Sequence, residues 1–351
     1  MNKTIVTSIF TAVLAMSVLT ALAENKTWRI NSNTTMGADF ASINAAMSSD
    51  AVTAGDILYL DPGCLLSSKQ TVTKQVTIIG TGYFRNNSPH QFATISGDFQ
   101  IEAAGTEVEG VILKRCYIYA CNVIFERCKI IGNLIIGASD HDARNATIRQ
   151  CFFSGDGRIS GYNNKTSSYS SVCTIENCIL IPTASAAVIA NLYIPTIRNN
   201  YVKEGNNGNS TNTPLANIEQ GIIKNNVLFT KEGVPYILNN VTNSVISHNI
   251  MSCSETQYPE FAADNYFLNS VDESLVFALE GTNDQLYQLK TDSPAKGYAD
   301  EDGDCGPFGG TNPYVLNGLP AHHPYYTKAV IGSQAKDGKV NVSLNIKMQD
   351  E

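Results

Sequence analysis

Ala146-Thr-Ile-Arg-Gln-Cys151-Phe-Phe153 and Cys173-Thr-Ile-Glu-Asn-Cys178-Ile-Leu180 share a pattern that four further stretches of the sequence repeat. The six blocks start at residues 123, 146, 173, 195, 221 and 244, which are 23, 27, 22, 26 and 23 residues apart. Strand-forming blocks at this spacing predict a solenoid, in which each repeat is one coil that packs only against its neighbours. Dividing residues 55–310 by a period of about 24 residues gives roughly ten coils.

Three positions of the block are predicted to form columns along the solenoid. The third position should point inward, because successive side chains of a strand lie on opposite sides; it is Phe125, Ile148, Ile175, Ile197, Ile223 and Ile246. The sixth position should be buried and stacked, with free thiols; it is Cys128, Cys151, Cys178, Asn200, Asn226 and Asn249. The outward fourth position is expected to form a ladder of salt bridges, the alternative being a ligand-binding stripe; it is Glu126, Arg149, Glu176, Arg198, Lys224 and Ser247. A seventh copy, Val111–Ile118, starts 12 residues before the next block and is expected on a different face.

Composition and the chain ends narrow the class of protein. Charged residues are 16% of the chain, with 34 Asn and one Trp, which favours short strands and tight turns over helices. The net charge of −8 argues against a nucleic-acid partner.

The N-terminus has the features of a signal peptide over residues 1–23: Lys3, an apolar run over 5–19 and the small residues of Ala21-Leu22-Ala23. An uncleaved anchor has similar features. The sequence therefore predicts a secreted, periplasmic or cell-surface protein with no membrane span in the mature chain.

The repeats resemble those of secreted bacterial right-handed parallel β-helix proteins, the architecture of pectate lyases and many surface proteins. The resemblance implies an all-β fold over residues 24–312, with a capping helix at 38–46 that has Asp39 as its N-cap. Residues 313–351 are predicted to form a C-terminal β tail. In it, the alternating strand 340–348 pairs with 329–331 and covers the open end of the solenoid. The architecture hosts lyases, hydrolases, epimerases and adhesins, so it does not fix the activity.

Two acidic clusters are candidates for chemistry. Asp300, Asp302 and Asp304 alternate along one loop and are candidate calcium ligands, although the sequence favours a solvated turn because the spacing of an EF-hand is absent. Asp140 and Asp142, together with Asp156 and Arg158 in the next loop, are candidate catalytic residues of a polysaccharide lyase or a glycoside hydrolase. The alternative is polar surface turns, because known lyase and polygalacturonase signatures are absent. The cluster requires both loops to leave the solenoid from the same corner.

Two functions therefore remain open. One is a non-catalytic, adhesin-like protein that binds glycans or surfaces, for which Tyr162, Tyr169, Tyr193 and Tyr201 are a candidate platform for sugar stacking. The other is an enzyme that acts on an acidic polysaccharide. The sequence favours the first function, because no catalytic signature is recognised and the charged columns have a structural explanation.

Overall fold

Successive coils of the chain stack as parallel strands on three faces, which we call face 1, face 2 and face 3 in the order in which each coil visits them. The computed structural model describes residues 25–84, 92–162, 172–183, 186–205, 213–232, 236–321, 324–331, 339 and 342–348. The predicted signal peptide and Tyr169 lie outside these residues. The strands of successive coils pair in parallel, which confirms the predicted parallel β-helix.

Face 1 is a ten-stranded sheet. Its strands are Thr27–Ile30, Ile57–Leu60, Thr77–Ile79, Glu107–Glu109, Ile124–Glu126, Thr147–Arg149, Thr174–Glu176, Thr196–Arg198, Ile222–Lys224 and Val245–Ser247. The ten strands agree in number with the roughly ten coils that the repeat predicts, but they extend over residues 27–247 and not over 55–310. The first of them, Thr27–Ile30, was not predicted from the sequence.

Faces 2 and 3 belong to one sixteen-stranded sheet, because the long strands Thr94–Ile101 and Ile112–Ile118 run across both faces. The other strands of face 2 are Leu65–Leu66, Lys129–Ile130, Phe152–Phe153, Ile179–Leu180, Tyr201–Lys203, Val227–Phe229, Ile250–Met251 and Tyr266–Phe267. The other strands of face 3 are Gln70–Val72, Asn133–Ile136, Arg158–Gly161, Ile189–Tyr193, Leu215–Glu219 and Leu238–Thr242. The seventh copy of the repeat therefore lies on faces 2 and 3 and not on face 1, as expected.

The predicted inward column is in register along face 1 and is buried. The sixth column is buried too, and its asparagines form a ladder. The backbone N–H of Asn200 donates to Asn226 Oδ1 at 3.0 Å, and that of Asn226 donates to Asn249 Oδ1 at 3.0 Å. The ladder continues to Asn265. In the earlier coils a thiol replaces the amide, since the N–H of Cys151 donates to Cys178 Sγ at 3.4 Å.

The fourth column is a salt-bridge ladder, as predicted. Arg149 pairs with Glu126 at 2.6 Å and Arg198 pairs with Glu176 at 2.5 Å. Lys224 pairs instead with Asp300, outside the column. The Glu176 side chain is only 6% exposed, so its carboxylate depends on Arg198 for compensation.

The N-terminal cap is shorter than predicted. The helix is Ile43–Met47, and its N-cap is Ser42 and not Asp39. The Asp39 carboxylate instead accepts a hydrogen bond from the backbone N–H of Arg29 at 2.7 Å. Phe40 also exchanges backbone hydrogen bonds with Arg29 and Asn31. Asp39 therefore lies alongside the first strand of face 1 and too far before Ile43 to cap the helix.

After the last coil, the chain returns along face 2. Short 3₁₀ helices occur there and elsewhere, at Thr34–Met36, Glu255–Gln257, Pro259–Phe261, Glu273–Leu275, Asn283–Tyr287, Asp300–Asp302 and Leu316–Gly318. Residues 276–318 cover the outward side of face 2 with a second apolar cluster that includes Phe152, Tyr201 and Tyr314. The Tyr314 hydroxyl bonds that of Tyr83 at 2.7 Å. The outside of face 2 is therefore packed against the chain itself.

The C-terminal strands Pro324–Ile331 and Val342–Met348 pair antiparallel, with Ala329 opposite Leu344 as expected. Val342, Leu344 and Ile346 are 55%, 46% and 57% exposed, so this apolar row does not pack on the solenoid end. Tyr258 contacts the last strand of face 3 instead, and its hydroxyl accepts hydrogen bonds from the N–H groups of Ile237 and Leu238. Among the described residues, no helix is long and apolar enough to span a membrane.

Candidate functional site

The outward side of face 3 carries aromatic and cationic side chains that its alternating strands place in two columns. In the strand Ile112–Ile118, Cys116 and Ile118 point into the core, so Arg115 and Tyr117 point outward. Arg115 is in register with Asn133, and Asn133 with Arg158. We call the column of Arg115, Asn133 and Arg158 the cationic column.

The second column forms a floor beside the first. Tyr117 is in register with Ile135, and Ile135 with Ser160, which is followed by Ala190, Ala216 and Asn239 in the next coils. The large side chains therefore belong to the earlier coils, and the small ones to the later coils.

Two grooves follow these columns. The first, of about 410 Å³, is lined by Lys114, Arg115, Asn133 and Asp156 among others. The second groove has a volume of about 450 Å³. It is lined by Arg158, Ser160, one asparagine from each of three consecutive coils and four alanines. Asp156 and Arg158 are two residues apart, so the grooves adjoin at this coil and extend along the solenoid.

Aromatic rings also lie on face 3, beginning at Tyr117 beside the cationic column. The ring centroids of Tyr117 and Tyr119 are 5.7 Å apart, and those of Tyr119 and His141 are 4.7 Å apart. Tyr162 lies at the equivalent position two coils later. The backbone N–H groups of Tyr119, Gly137 and Tyr162 each donate a hydrogen bond to the corresponding carbonyl oxygen of the preceding coil. Burial raises the pKa of the Tyr119 hydroxyl, so it remains a hydrogen-bond donor at neutral pH.

Cations of face 3 are incompletely paired. Arg115 lies 3.3 Å from Asp98, and both side chains are exposed. Neither Lys114 nor Arg158 forms a salt bridge with any residue that the structure describes. In a chain with net charge −8, such a local group of cations attracts anionic ligands.

The sequence-based catalytic cluster does not assemble as its hypothesis required. Asp140 and Asp142 lie in the turn that follows the face 3 strand Asn133–Ile136, whereas Asp156 lies in the turn that follows the face 2 strand Phe152–Phe153. The two turns are at different corners of the solenoid. Arg158 is the first residue of a face 3 strand and points outward in the cationic column. The condition of a shared corner is therefore not met, and these four residues do not form one site.

Asp140 and Asp142 have separate partners within their own turn. His141 Nδ1 bonds Asp140 Oδ1 at 2.7 Å, and the Arg144 guanidinium donates to Asp142 at 2.8 and 3.0 Å. The hydrogen bonds from Arg144 lower the pKa of Asp142, against the opposing effect of burial.

The candidate calcium ligands also have separate partners. Asp300 accepts hydrogen bonds from Lys224 and Asn225, while Asp304 Oδ1 accepts the N–H of Gly297 at 3.0 Å. Asp302 is exposed. Burial raises the pKa of Asp300, but the Lys224 and Asn225 bonds outweigh it and the pKa is lowered overall. In the described part of the chain, no three His, Cys, Asp or Glu side chains converge as ligands of one metal ion.

Only some of the outward residues of face 3 were predicted from the sequence. Tyr162 and Tyr193 were predicted and do lie there half-buried, whereas Tyr201 is buried under the returning chain. Arg115, Tyr117 and Tyr119 were not predicted. The alternation of these three with Cys116 and Ile118 was a usable signal, but it lies in the repeat copy that had no assigned face.

A buried carboxyl at the corner between faces 2 and 3 was also missed. Glu204 is 3% exposed, and neither of its carboxylate oxygens has a hydrogen-bond partner among the described residues. Burial raises the pKa of Glu204 to about 7, opposed in part by the nearby Lys231.

Comparisons with known proteins add little to this geometry. No protein-family model and no curated protein matches the sequence. One solved structure that matches is a PL6 family polysaccharide lyase from Pseudopedobacter saltans, at 12% identity, over 84% of this chain and 99% of that chain, with a TM-score of 0.28. A match at this level does not allow the role of any residue to be inferred from the lyase. The fold assignment therefore rests on the strand pairing described above.

Proposed function

We propose that face 3 binds an extended polysaccharide that lies along the solenoid axis and carries anionic units. The observation that carries this proposal is the pair of adjoining grooves along face 3, which incompletely paired cations line, together with the row of aromatic rings on the same face. Sugar rings stack on aromatic side chains, and a guanidinium binds a carboxylate through two parallel hydrogen bonds.

A polymer suits this face better than a small molecule does. The coils repeat about every 4.8 Å, so equivalent side chains recur along the axis and offer similar contacts to successive sugar units. The grooves are open, and their polar side chains are spread over several coils. The predicted signal peptide agrees with a protein that meets polysaccharides outside the cell.

The test is a binding measurement on a panel of acidic and neutral polysaccharides, by affinity electrophoresis and calorimetry, with the full chain. We expect acidic polymers to bind, and added salt to weaken the binding because it screens exposed charges. Replacing Tyr117 and Tyr119 together by Ala should lower the affinity by about tenfold or more. The matched control is Thr196→Ala, which lies outward on face 1. Equal affinities of the tyrosine variant and the control would reject the proposal.

A second candidate function is cleavage of the same polymer, and one observation favours it. His141 is held by Asp140 at its Nδ1 and lies against Tyr119 at the edge of face 3. A carboxylate that orients an imidazole in this way leaves the other ring nitrogen able to accept a proton, as a general base must.

Incubating the bound polymers with the protein, with calcium and with a chelator, separates the two functions. A lyase releases unsaturated chain ends that absorb ultraviolet light, whereas a binding protein leaves the chain length unchanged. If cleavage occurs, His141→Gln should abolish it while leaving binding intact, and unchanged cleavage by that variant would exclude His141 as the base.

A further inference from the structure

The fifth position of the repeated block forms a column that was not predicted from the sequence. It is Arg127, Gln150, Asn177, Asn199, Asn225 and His248. All six residues have φ values of 51–59°, in the left-handed region that Asn tolerates better than most residues. Each of them follows the last residue of a face 1 strand. Together they line the corner between faces 1 and 2, and we call them the corner column.

The chain that returns along face 2 follows this corner, and we call its residues 300–321 the strap. Five of the six side chains of the corner column bond main-chain groups of the strap. At 2.7–3.4 Å, the bonded groups belong to Asp300 for Asn225, to Asp304 for Asn199, to Pro307 and Gly309 for Asn177, to Asn312 and Pro313 for Gln150, and to Leu319 for Arg127. The strap therefore runs back along the stack and meets one coil after another.

Further hydrogen bonds hold the two ends of the strap. Near its start, the Cys305 thiol is 0% exposed and donates to the His248 carbonyl oxygen at 3.1 Å. At its end, the backbone N–H of Ala321 donates to Glu109 Oε1 at 2.7 Å. The strap thus bonds every coil from that of Glu109 to that of His248, which are seven of the ten coils of face 1.

We propose that the strap is a clamp that makes these seven coils unfold as one cooperative unit. In a solenoid each coil contacts only its neighbours, so the terminal coils can unfold separately from the rest. The strap connects coils that do not touch one another. When one coil unfolds, it releases its part of the strap, and the bonds of the strap to the adjoining coils weaken. The inference goes beyond the proposed function and does not depend on it.

The cysteines make unfolding measurable coil by coil. Cys128, Cys151, Cys178 and Cys253 are free and buried in four different coils, and Cys305 is free and buried in the strap. Pulse labelling of thiols in increasing urea, read by mass spectrometry of the peptides, gives an unfolding midpoint for each cysteine of the full chain. In the wild type the five midpoints should coincide, because coincident transitions are the mark of one cooperative unit.

A strap variant combines Gln150→Gly, Asn177→Gly and Asn199→Gly, which remove the central bonds. Glycine adopts the left-handed conformation without steric cost, so the corner itself is kept. Without urea, Cys305 of this variant should be labelled at least about tenfold faster than in the wild type. In urea, the midpoints of the four coil cysteines should separate by about 0.5 M or more. Asn177→Gly alone should accelerate labelling of Cys305 as well, and it gives the same test if the triple variant does not fold.

The control combines Asn191→Gly, Asn217→Gly and Asn240→Gly. These amides have the same left-handed φ and bond one another on face 3, so the control should keep coincident midpoints. Separate midpoints in the wild type would overturn the inference. So would unchanged labelling of Cys305 with coincident midpoints in the strap variants, or midpoints that separate as far in the control as in the triple strap variant.

Discussion

The buried amide of Asn226 should contribute more to stability than any single outward side chain of face 1. Its Oδ1 accepts hydrogen bonds from the backbone N–H and the side-chain Nδ2 of Asn200, both at 3.0 Å. The two N–H donors of its Nδ2 are shared among three acceptors at 2.9 Å, the carbonyl oxygens of Ile197 and Lys224 and Asn249 Oδ1. Asn226→Ala removes all five bonds at once.

The magnitude follows from the groups that this substitution leaves buried without a partner. The Asn200 N–H and the Ile197 carbonyl lose their side-chain partner, and each unsatisfied buried group costs about 1–3 kcal/mol. We therefore expect Asn226→Ala to lower the free energy of unfolding by about 3–5 kcal/mol. With an unfolding entropy of about 2.1 cal/mol/K per residue, 4 kcal/mol lowers the Tm of a 351-residue chain by roughly 5 °C.

Two further substitutions at Asn226 test the same explanation. Asn226→Cys introduces the residue that the column uses in earlier coils, where Cys178 Sγ accepts an N–H at 3.4 Å and donates to Ile148 O at 3.6 Å. It should cost less than Ala. Asn226→Asp places a carboxylate against two carbonyl oxygens, so it should cost most at neutral pH and recover stability as falling pH protonates it.

Urea and thermal unfolding followed by circular dichroism measure all three variants. The expected order of stability is wild type, Cys, Ala and Asp at pH 7. Ser247→Ala is the control, because Ser247 lies outward on face 1 in the next coil. An Asn226→Ala protein as stable as this control, or an Asn226→Cys protein less stable than Asn226→Ala, would refute the assigned role of the ladder.

Three other predictions concern charges and thiols. Arg198→Ser should destabilise by about 3 kcal/mol, against under 1 kcal/mol for Ser247→Ala, because it leaves the buried Glu176 carboxylate unpaired; equal urea midpoints would contradict this. The pKa of Glu204 is about 7 in the fold against 4.5 ordinarily, so its protonated form stabilises the fold at low pH and this contribution is lost as pH rises from 4.5 to 7. Over that interval the free energy of unfolding of the wild type, measured in urea, should fall by up to about 3 kcal/mol relative to that of Glu204→Gln. Parallel pH profiles of the two proteins would disprove this. Denatured, unreduced protein should show nine reactive thiols on titration, since all nine cysteines are free; a count of seven or fewer would reveal a disulfide.

The sequence predicted face 1 well because every coil repeats the same short element there. Each face 1 strand in the six blocks has three residues, with an inward Phe or Ile at its centre, and the next bend places Cys or Asn inside. Faces 2 and 3 lack this regularity. The connection between them has two residues at 131–132 and eleven at 204–214, so no fixed spacing marks the start of a face 3 strand.

The predicted catalytic cluster depended on the lengths of the turns, which the spacing of the repeat does not determine. Asp142 and Asp156 follow consecutive face 1 blocks in the sequence, yet one lies after a face 3 strand and the other after a face 2 strand. Their separation follows from the lengths of the turns and not from the repeat. Arg158 was predicted as a catalytic candidate together with the aspartates. It lies outward beside a groove, and its neighbours there are Asn133 and Ser160.

The three faces differ in what covers their outward side chains, and this difference supports the binding role proposed for face 3. Face 1 pairs most of its outward charges with one another, and face 2 is packed under residues 276–318. No segment that the structure describes covers face 3 in this way, and its tyrosines and cations point outward, so they contribute little to the packing of the core. Substitutions at Tyr117 and Tyr119 should therefore lower polysaccharide affinity with a change in Tm of less than about 2 °C, whereas substitutions in the columns of face 1 should lower Tm without a direct effect on binding. A large loss of Tm in the tyrosine variants would mean that face 3 is a structural surface, and the proposed binding role would lose its basis.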